Sequence, residues 1–216
     1  MDGHATQVGG CVVDSGNFDW MAHADKYPGL CTSDESYHGL TYAKDFGKKG
    51  YITKIVAQLM RDFGSTPAPQ NSFLLNLGLE TLAVRMERHC SNAQRVAEYL
   101  SADPRVAWVR YSGLPGDSSH ALAIKYMPGG SCGVIAFGLK GSRETAIKFM
   151  DSLKMINIAT HVADLRTCVL HPASHTHRQL SDEQLRAAGI APEFIRLSVG
   201  LEDADDIIDD IKQALG

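Results

Sequence analysis

After the prolines at 67 and 69 the chain runs "NSFLLNLGLETLAVRMERHCSNAQRVAEYLSADP", with apolar residues every three to four positions up to Pro104. That period predicts one long helix with an apolar stripe, ended where proline removes a backbone donor. Such a stripe has to be laid on something, and the sequence that follows supplies it. "VAWVRY" and "CGVIAFGL" read as strands on either side of a short helix near "SHALAIKYM", and "FIRLSVG" reads as another strand. "SRETAIKFMDSL" is a helix capped by Ser142, "SDEQLRAAG" a short helix from Ser181 to Gly189, and "DADDIIDDIKQALG" a closing helix with acids at its positive end. The alternation predicts the α/β class, with residues 65–216 forming an α+β domain in which helices pack on a small sheet.

Residues 1–64 read as the end of a different domain. The glycines of "MDGHATQVGG" suit a fold already under way, and "VGGCVVD" (8–14) has the β-branched composition of a short buried strand. Residues 22–50 sustain no period and predict a long loop of the kind used for function or subunit contact. In "YITKIVAQLMRDFG" (51–64), Ile52, Ile55, Val56, Leu59 and Met60 fall at helical spacing before a glycine stop.

Charge and cysteine usage narrow the function classes. Lys and Arg total 21 against 25 Asp and Glu, a net charge of -4 without basic runs, which gives no footprint for nucleic acid or anionic membrane. Cys11, Cys31, Cys90, Cys132 and Cys168 are odd in number and widely spaced, which fits a reducing cytoplasm better than a disulfide framework. No run has the length of a membrane span or of a signal-peptide core.

Two stretches carry candidate chemistry. In "FIRLSVG", Ile195, Leu197 and Val199 alternate with Arg196, Ser198 and Gly200, so the guanidinium stands between small neighbours on the face opposite the apolar one. Its fork of donors suits a carboxylate held bidentately, and it equally suits the solvent face of an ordinary strand. In "HPASHTH" three histidines fall within residues 171–177, but Pro172 breaks the helix that would align them and no carboxylate accompanies them. A polar turn beside a cleft is the better reading, and no metal site is expected. "GLPG", "GGSCG" and "GKKG" match neither a P-loop nor a dinucleotide fingerprint and read as turns.

"VGGCVVDSGNFDW", "YPGLCTSDESYHGLTYAKDFG", "SFLLNLGLETLAVRMERH", "HPASHTH" and "IRLSVGLEDADDIIDDI" together resemble the C-terminal half of the pyridoxal-phosphate enzymes of cysteine and methionine metabolism. The segment "DESYHGLTYAKDFG" is similar to the O-acetylhomoserine sulfhydrylase branch. The resemblance implies a fold-type-I transferase, with residues 1–64 as the tail of its large cofactor domain and 65–216 as its C-terminal domain. It implies pyridoxal phosphate as the electron sink for making homocysteine from O-acetylhomoserine and sulfide, in a cytoplasmic homo-oligomer acting on an amino-acid substrate.

Asp2-Gly3-His4 matches the end of the segment that holds the Schiff-base lysine, which the resemblance puts before Met1, so no catalytic lysine and no cofactor binding are expected of these residues alone. Arg196 matches the arginine that clamps the substrate carboxylate, and Thr176 a threonine lining the active site. His161 falls where the family usually has Ser or Asn beside that carboxylate, Ala163 replaces a common glycine, and His175 a common Thr or Met. The alternative is a noncatalytic subunit or interaction domain derived from the same family.

Overall fold

The computed structural model describes all residues, Met1–Gly216, which divide into two compact units: Gln7–Phe73, and Met1–Thr6 together with Leu74–Gly216. The second unit is built on a five-stranded sheet of β1 (Val106–Arg110), β2 (Val134–Leu139), β3 (Asn157–Ile158), β4 (Cys168–Leu170) and β5 (Phe194–Ser198). Their order is β1-β2-β5-β4-β3, with β3 and β4 parallel and the remaining pairs antiparallel. Strand alternation drives one face into the core: Ile135 and Phe137 from β2 and Ile195 and Leu197 from β5 are buried against Val96, Ala97 and Leu100 of the Leu82–Ala102 helix. Ala146, Phe149 and Met150 of the Arg143–Ser152 helix and Ile207 and Ile211 of the Ala204–Leu215 helix complete that layer. The helices start where their caps dictate. Ser142 and Ser181 both form reciprocal capping boxes, with Thr145 and Gln184.

Three expectations are corrected. The single long helix is two, Pro69–Glu80 and Leu82–Ala102, separated at Thr81. At the break the Arg85 guanidinium donates to the Gly78 carbonyl and its Nε to Thr81 Oγ1 at 3.2 Å, so side-chain donors take over acceptors beside the interrupted ladder. Residues 8–14 form no strand. Val8 is 87% and Val13 89% exposed, because a β-branched run has nothing to satisfy its backbone until another strand pairs with it.

The 22–50 stretch is a chain of short helical turns rather than a structureless loop, including Pro28–Cys31, Glu35–Tyr37 and Tyr42–Asp45. They pack around buried Leu30, Tyr42 and Ala43, with Trp20 stacked on Tyr51 at 5.2 Å and Asp34 accepting from the Ser36 amide. The following helix runs as expected from Gly50 to Phe63, with a π-helical turn at Ile55–Met60, and stops at Gly64, whose φ is 65°. No helix is long and apolar enough to cross a membrane.

Candidate functional site

Arg196 sits on β5 between Ala136 of β2 and Leu170 of β4, on the face turned away from the helices. Its Nη2 donates to the carbonyls of Thr160 at 2.8 Å and His161 at 3.3 Å. Its Nε is covered and has no partner. A buried guanidinium donor left unpaired is costly unless an anion completes it, and two backbone carbonyls already fix the direction of the fork. Nη2 is thus held in a fixed direction while Nε is left without an acceptor.

The 160–164 loop that holds the fork is itself fastened. The Ala163 amide donates to Ser198 Oγ at 3.0 Å, two residues along β5 from Arg196. Cys168 Sγ donates to the same His161 carbonyl that Arg196 uses, at 3.2 Å, and burial pushes that thiol's pKa up, keeping it a protonated donor. Asp164 is buried and accepts from the Arg166 amide at 3.0 Å and from Arg166 Nε at 3.2 Å, with His161 Nδ1 3.3 Å away. Burial pushes the Asp164 carboxyl up, but hydrogen bonds from Arg166 and the charges of Arg166 and His161 outweigh it and hold the group below the usual carboxylate range.

Ala163 has a φ of 57°, in the left-handed region where a side chain is strained. A glycine, which the resemblance implies at this position, would relieve that strain. Ala163→Gly is expected to leave the unfolding free energy from urea denaturation unchanged or raise it by up to about 1 kcal/mol. A clear loss of stability would show that the alanine methyl packs favourably enough to outweigh the strain.

The first residues of the chain reach the same loop. Leu165 donates to the Gly3 carbonyl at 2.8 Å, and Arg85 Nη2 donates to the Met1 carbonyl at 2.7 Å. Gly78 lets this segment approach, since a Cβ there would lie 2.7 Å from the Asp2 Cα. Between Asp2, Gly3 and Ala5 on one side and His161, Val162 and Asp164 on the other lies a cleft of about 260 Å³. Arg85 belongs to a polar series, Arg85, His89 and Asn92, buried on one face of its helix ahead of Ala93, Val96 and Ala97. His89 Nδ1 lies 2.7 Å from the Val199 carbonyl, and Asn92 donates to the carbonyls of Gly200 at 3.0 Å and Glu202 at 2.8 Å, so these two residues fix the chain leaving β5.

Of the residues singled out in the sequence, Arg196 and His161 are brought together, through the His161 backbone rather than its imidazole, which is exposed. Thr176 is exposed, and its hydroxyl meets only the neighbouring His177 Nδ1, at 2.9 Å. The histidines of 171–177 turn to separate partners. His171 is buried between Ser174 Oγ at 2.6 Å and the Pro192 carbonyl at 2.7 Å, and burial lowers its pKa, while His175 Nδ1 meets the His171 carbonyl at 3.0 Å. For Ser198, Arg85 and Asp164 the sequence predicts no role at the site. The signal available for Arg85 was the spacing 85, 89, 92 in line with the apolar stripe.

A mixed sheet backed by helices on one face, with an arginine on the other, belongs to a known class of protein. The family model for Cys/Met metabolism PLP-dependent enzymes matches residues 1–216, and the chain belongs to that family, in the fold-type-I class of pyridoxal-phosphate enzymes. Among its relatives, the homocysteine synthase of Schizosaccharomyces pombe is 43% identical over 213 residues, 99% of this chain and 50% of the relative. The O-acetyl-L-homoserine sulfhydrylase 1 of Thermus thermophilus is likewise 43% identical over 213 residues, with the same coverage of 99% and 50%. A crystal structure from Campylobacter jejuni, described as an O-acetylhomoserine (thiol)-lyase carrying N'-pyridoxyl-lysine-5'-monophosphate, superposes with a TM-score of 0.78 at 40% identity. That likeness covers 88% of this chain and 45% of the other. The chain spans about half the length of the curated relatives it matches.

An arginine with an unused Nε has a donor of the kind that a carboxylate accepts from. The Arg196 Nε is covered and unpaired, with the small Ala136 as its neighbour on β2, while the cleft at the 160–164 loop is lined by no lysine.

Proposed function

We propose that this chain supplies the substrate-carboxylate clamp of a pyridoxal-phosphate-dependent O-acetylhomoserine sulfhydrylase, which joins O-acetylhomoserine and sulfide to give homocysteine and acetate. The observation that carries the reading is the Arg196 fork, held by two carbonyls with a covered donor unused. Pyridoxal phosphate, when bound, supplies the electron sink for the substrate's carbon skeleton. Arg196 takes the carboxylate and fixes the direction in which the rest of the amino acid points. The 160–164 loop keeps the guanidinium from swinging, with Ser198 and Cys168 as its fastenings. His161 holds the clamp through its carbonyl, and its imidazole and Thr176 belong to the site by resemblance.

In this reading residues 1–64 close the large cofactor domain and 65–216 form the C-terminal domain of a cytoplasmic homo-oligomer. By resemblance none of these residues is the cofactor-holding lysine, and the chain spans about half the length of each relative. Homocysteine is expected from O-acetylhomoserine and sulfide when the sequence is carried in a protein of the relatives' full length, and none from the 216-residue chain alone with added pyridoxal phosphate. Turnover by the short chain would overturn the division of labour. A full-length protein that binds the cofactor but ignores O-acetylhomoserine would overturn the substrate.

A further inference from the structure

The sheet face that carries Arg196 holds a second feature that the carboxylate clamp does not use. A register shift between Val106 and Trp108 places Trp108 and Arg110 on the face opposite Val109, which packs on the core. Two rows then cross β1, β2 and β5 side by side. Trp108, Gly138 and Phe194 form one, and Arg110, Ala136 and Arg196 the other.

In the first row the middle residue has no side chain. A Cβ at Gly138 would lie 2.3 Å from Trp108 Nε1, so only glycine lets the indole lie down across β2. There it meets the Phe194 ring at 5.9 Å with the planes 15° apart. In the second row Ala136 keeps the floor low, and the Arg110 guanidinium stands 5.9 Å from the centre of the indole. Arg110 is exposed and has no carboxylate partner, whereas Arg196 reaches the other way, to Thr160 and His161. Gly189 and Ala191 leave the mouth unfilled, and the cleft so formed has a volume of about 350 Å³. Glu193 accepts from Trp108 Nε1 at 3.5 Å, which holds the edge of the indole.

We propose that this cleft is a second ligand site, for a small flat aromatic acid. The ring would lie against the Trp108 and Phe194 shelf, and its anionic group would meet Arg110. Flat faces favour offset stacking on an aromatic pair, and an unpaired guanidinium is the group in the cleft that discriminates charge. The two arginines of one row thereby serve different ligands, so the site stands independently of the reading of Arg196.

The probes are nicotinate and nicotinamide, which share a ring and differ in charge, and the reporter is indole emission, since the chain has 2 tryptophans. Nicotinate is expected to quench saturably, and the quench should vanish in Trp108→Phe, which assigns it to this cleft rather than to Trp20. Nicotinamide, and nicotinate on Arg110→Gln, should bind about tenfold more weakly or worse, the range of a lost charge-assisted hydrogen bond. Gly138→Ala, which displaces the indole, should lose the nicotinate quench while Arg110 remains. Equal quenching by the two probes, an unchanged affinity in Arg110→Gln, a quench that persists in Trp108→Phe, or no saturable quench at all would each overturn the site.

Discussion

Arg196→Lys, made in a full-length protein carrying this sequence, is expected to lower kcat/KM for O-acetylhomoserine by about tenfold to a hundredfold while leaving the cofactor's absorbance in place. Lysine keeps the charge but not the fork, and the loss of a charged, oriented hydrogen bond is on the order of 1.5–3 kcal/mol. Arg196→Ala should be worse, because it removes the charge as well. A structural role is a real competitor, since Nη2 also ties the carbonyls of Thr160 and His161 and its removal will loosen the 160–164 loop. The substrate amide separates the two. An analogue without the carboxylate cannot use the clamp, so wild type and Arg196→Lys should handle it almost equally if the guanidinium reads charge. A structural arginine would instead lower thermal stability and affect acid and amide alike. Near-wild-type kinetics for Arg196→Ala would remove the clamp altogether.

The place of Arg196 was legible because a strand has a period of two: once Ile195, Leu197 and Val199 are seen as one face, Arg196 must stand on the other. What could not be read is how the guanidinium is held, since the Thr160 and His161 carbonyls are backbone groups that any residue would offer. Apolar periodicity runs straight through Thr81, and the contacts of Arg85 at the break, to Thr81 and to the Met1 carbonyl, leave no mark on it. The same limit applies at 8–14. A β-branched run states a preference for extended backbone, and the pairing that would make it a strand is decided elsewhere. Caps fared better, because Ser142 and Ser181 act on amides within their own first turn, where sequence distance and spatial distance agree.

The largest expected loss of stability is at Asp210. This carboxylate, on the Ala204–Leu215 helix, accepts from three successive amides, Lys154, Met155 and Ile156, each at 2.9 Å, where the chain leaves the Arg143–Ser152 helix toward β3. Gln213 adds a fourth donor at 2.9 Å. Asp210→Ala leaves the buried Ile156 amide and the half-buried hydrogen bonds of Lys154 and Met155 without their acceptor, and at about 1–3 kcal/mol for a buried group that water does not recover, a loss of about 2–3 kcal/mol is expected in urea denaturation. Asp210→Asn keeps the shape but turns an amide donor toward donors, so it too should lose stability.

The pH dependence identifies the cause. Burial pushes the Asp210 carboxyl up, but its backbone donors and Gln213 outweigh this and set its folded pKa below the ordinary 3.8. A depressed folded pKa contributes stability that is complete above the unfolded value and fades as the pH falls through the folded one. The gap between wild type and Asp210→Asn should therefore be widest near neutrality and narrow below about pH 4. A gap that stays constant into acid would mean that the variant fails through packing, and that the charge on Asp210 does not fasten the turn.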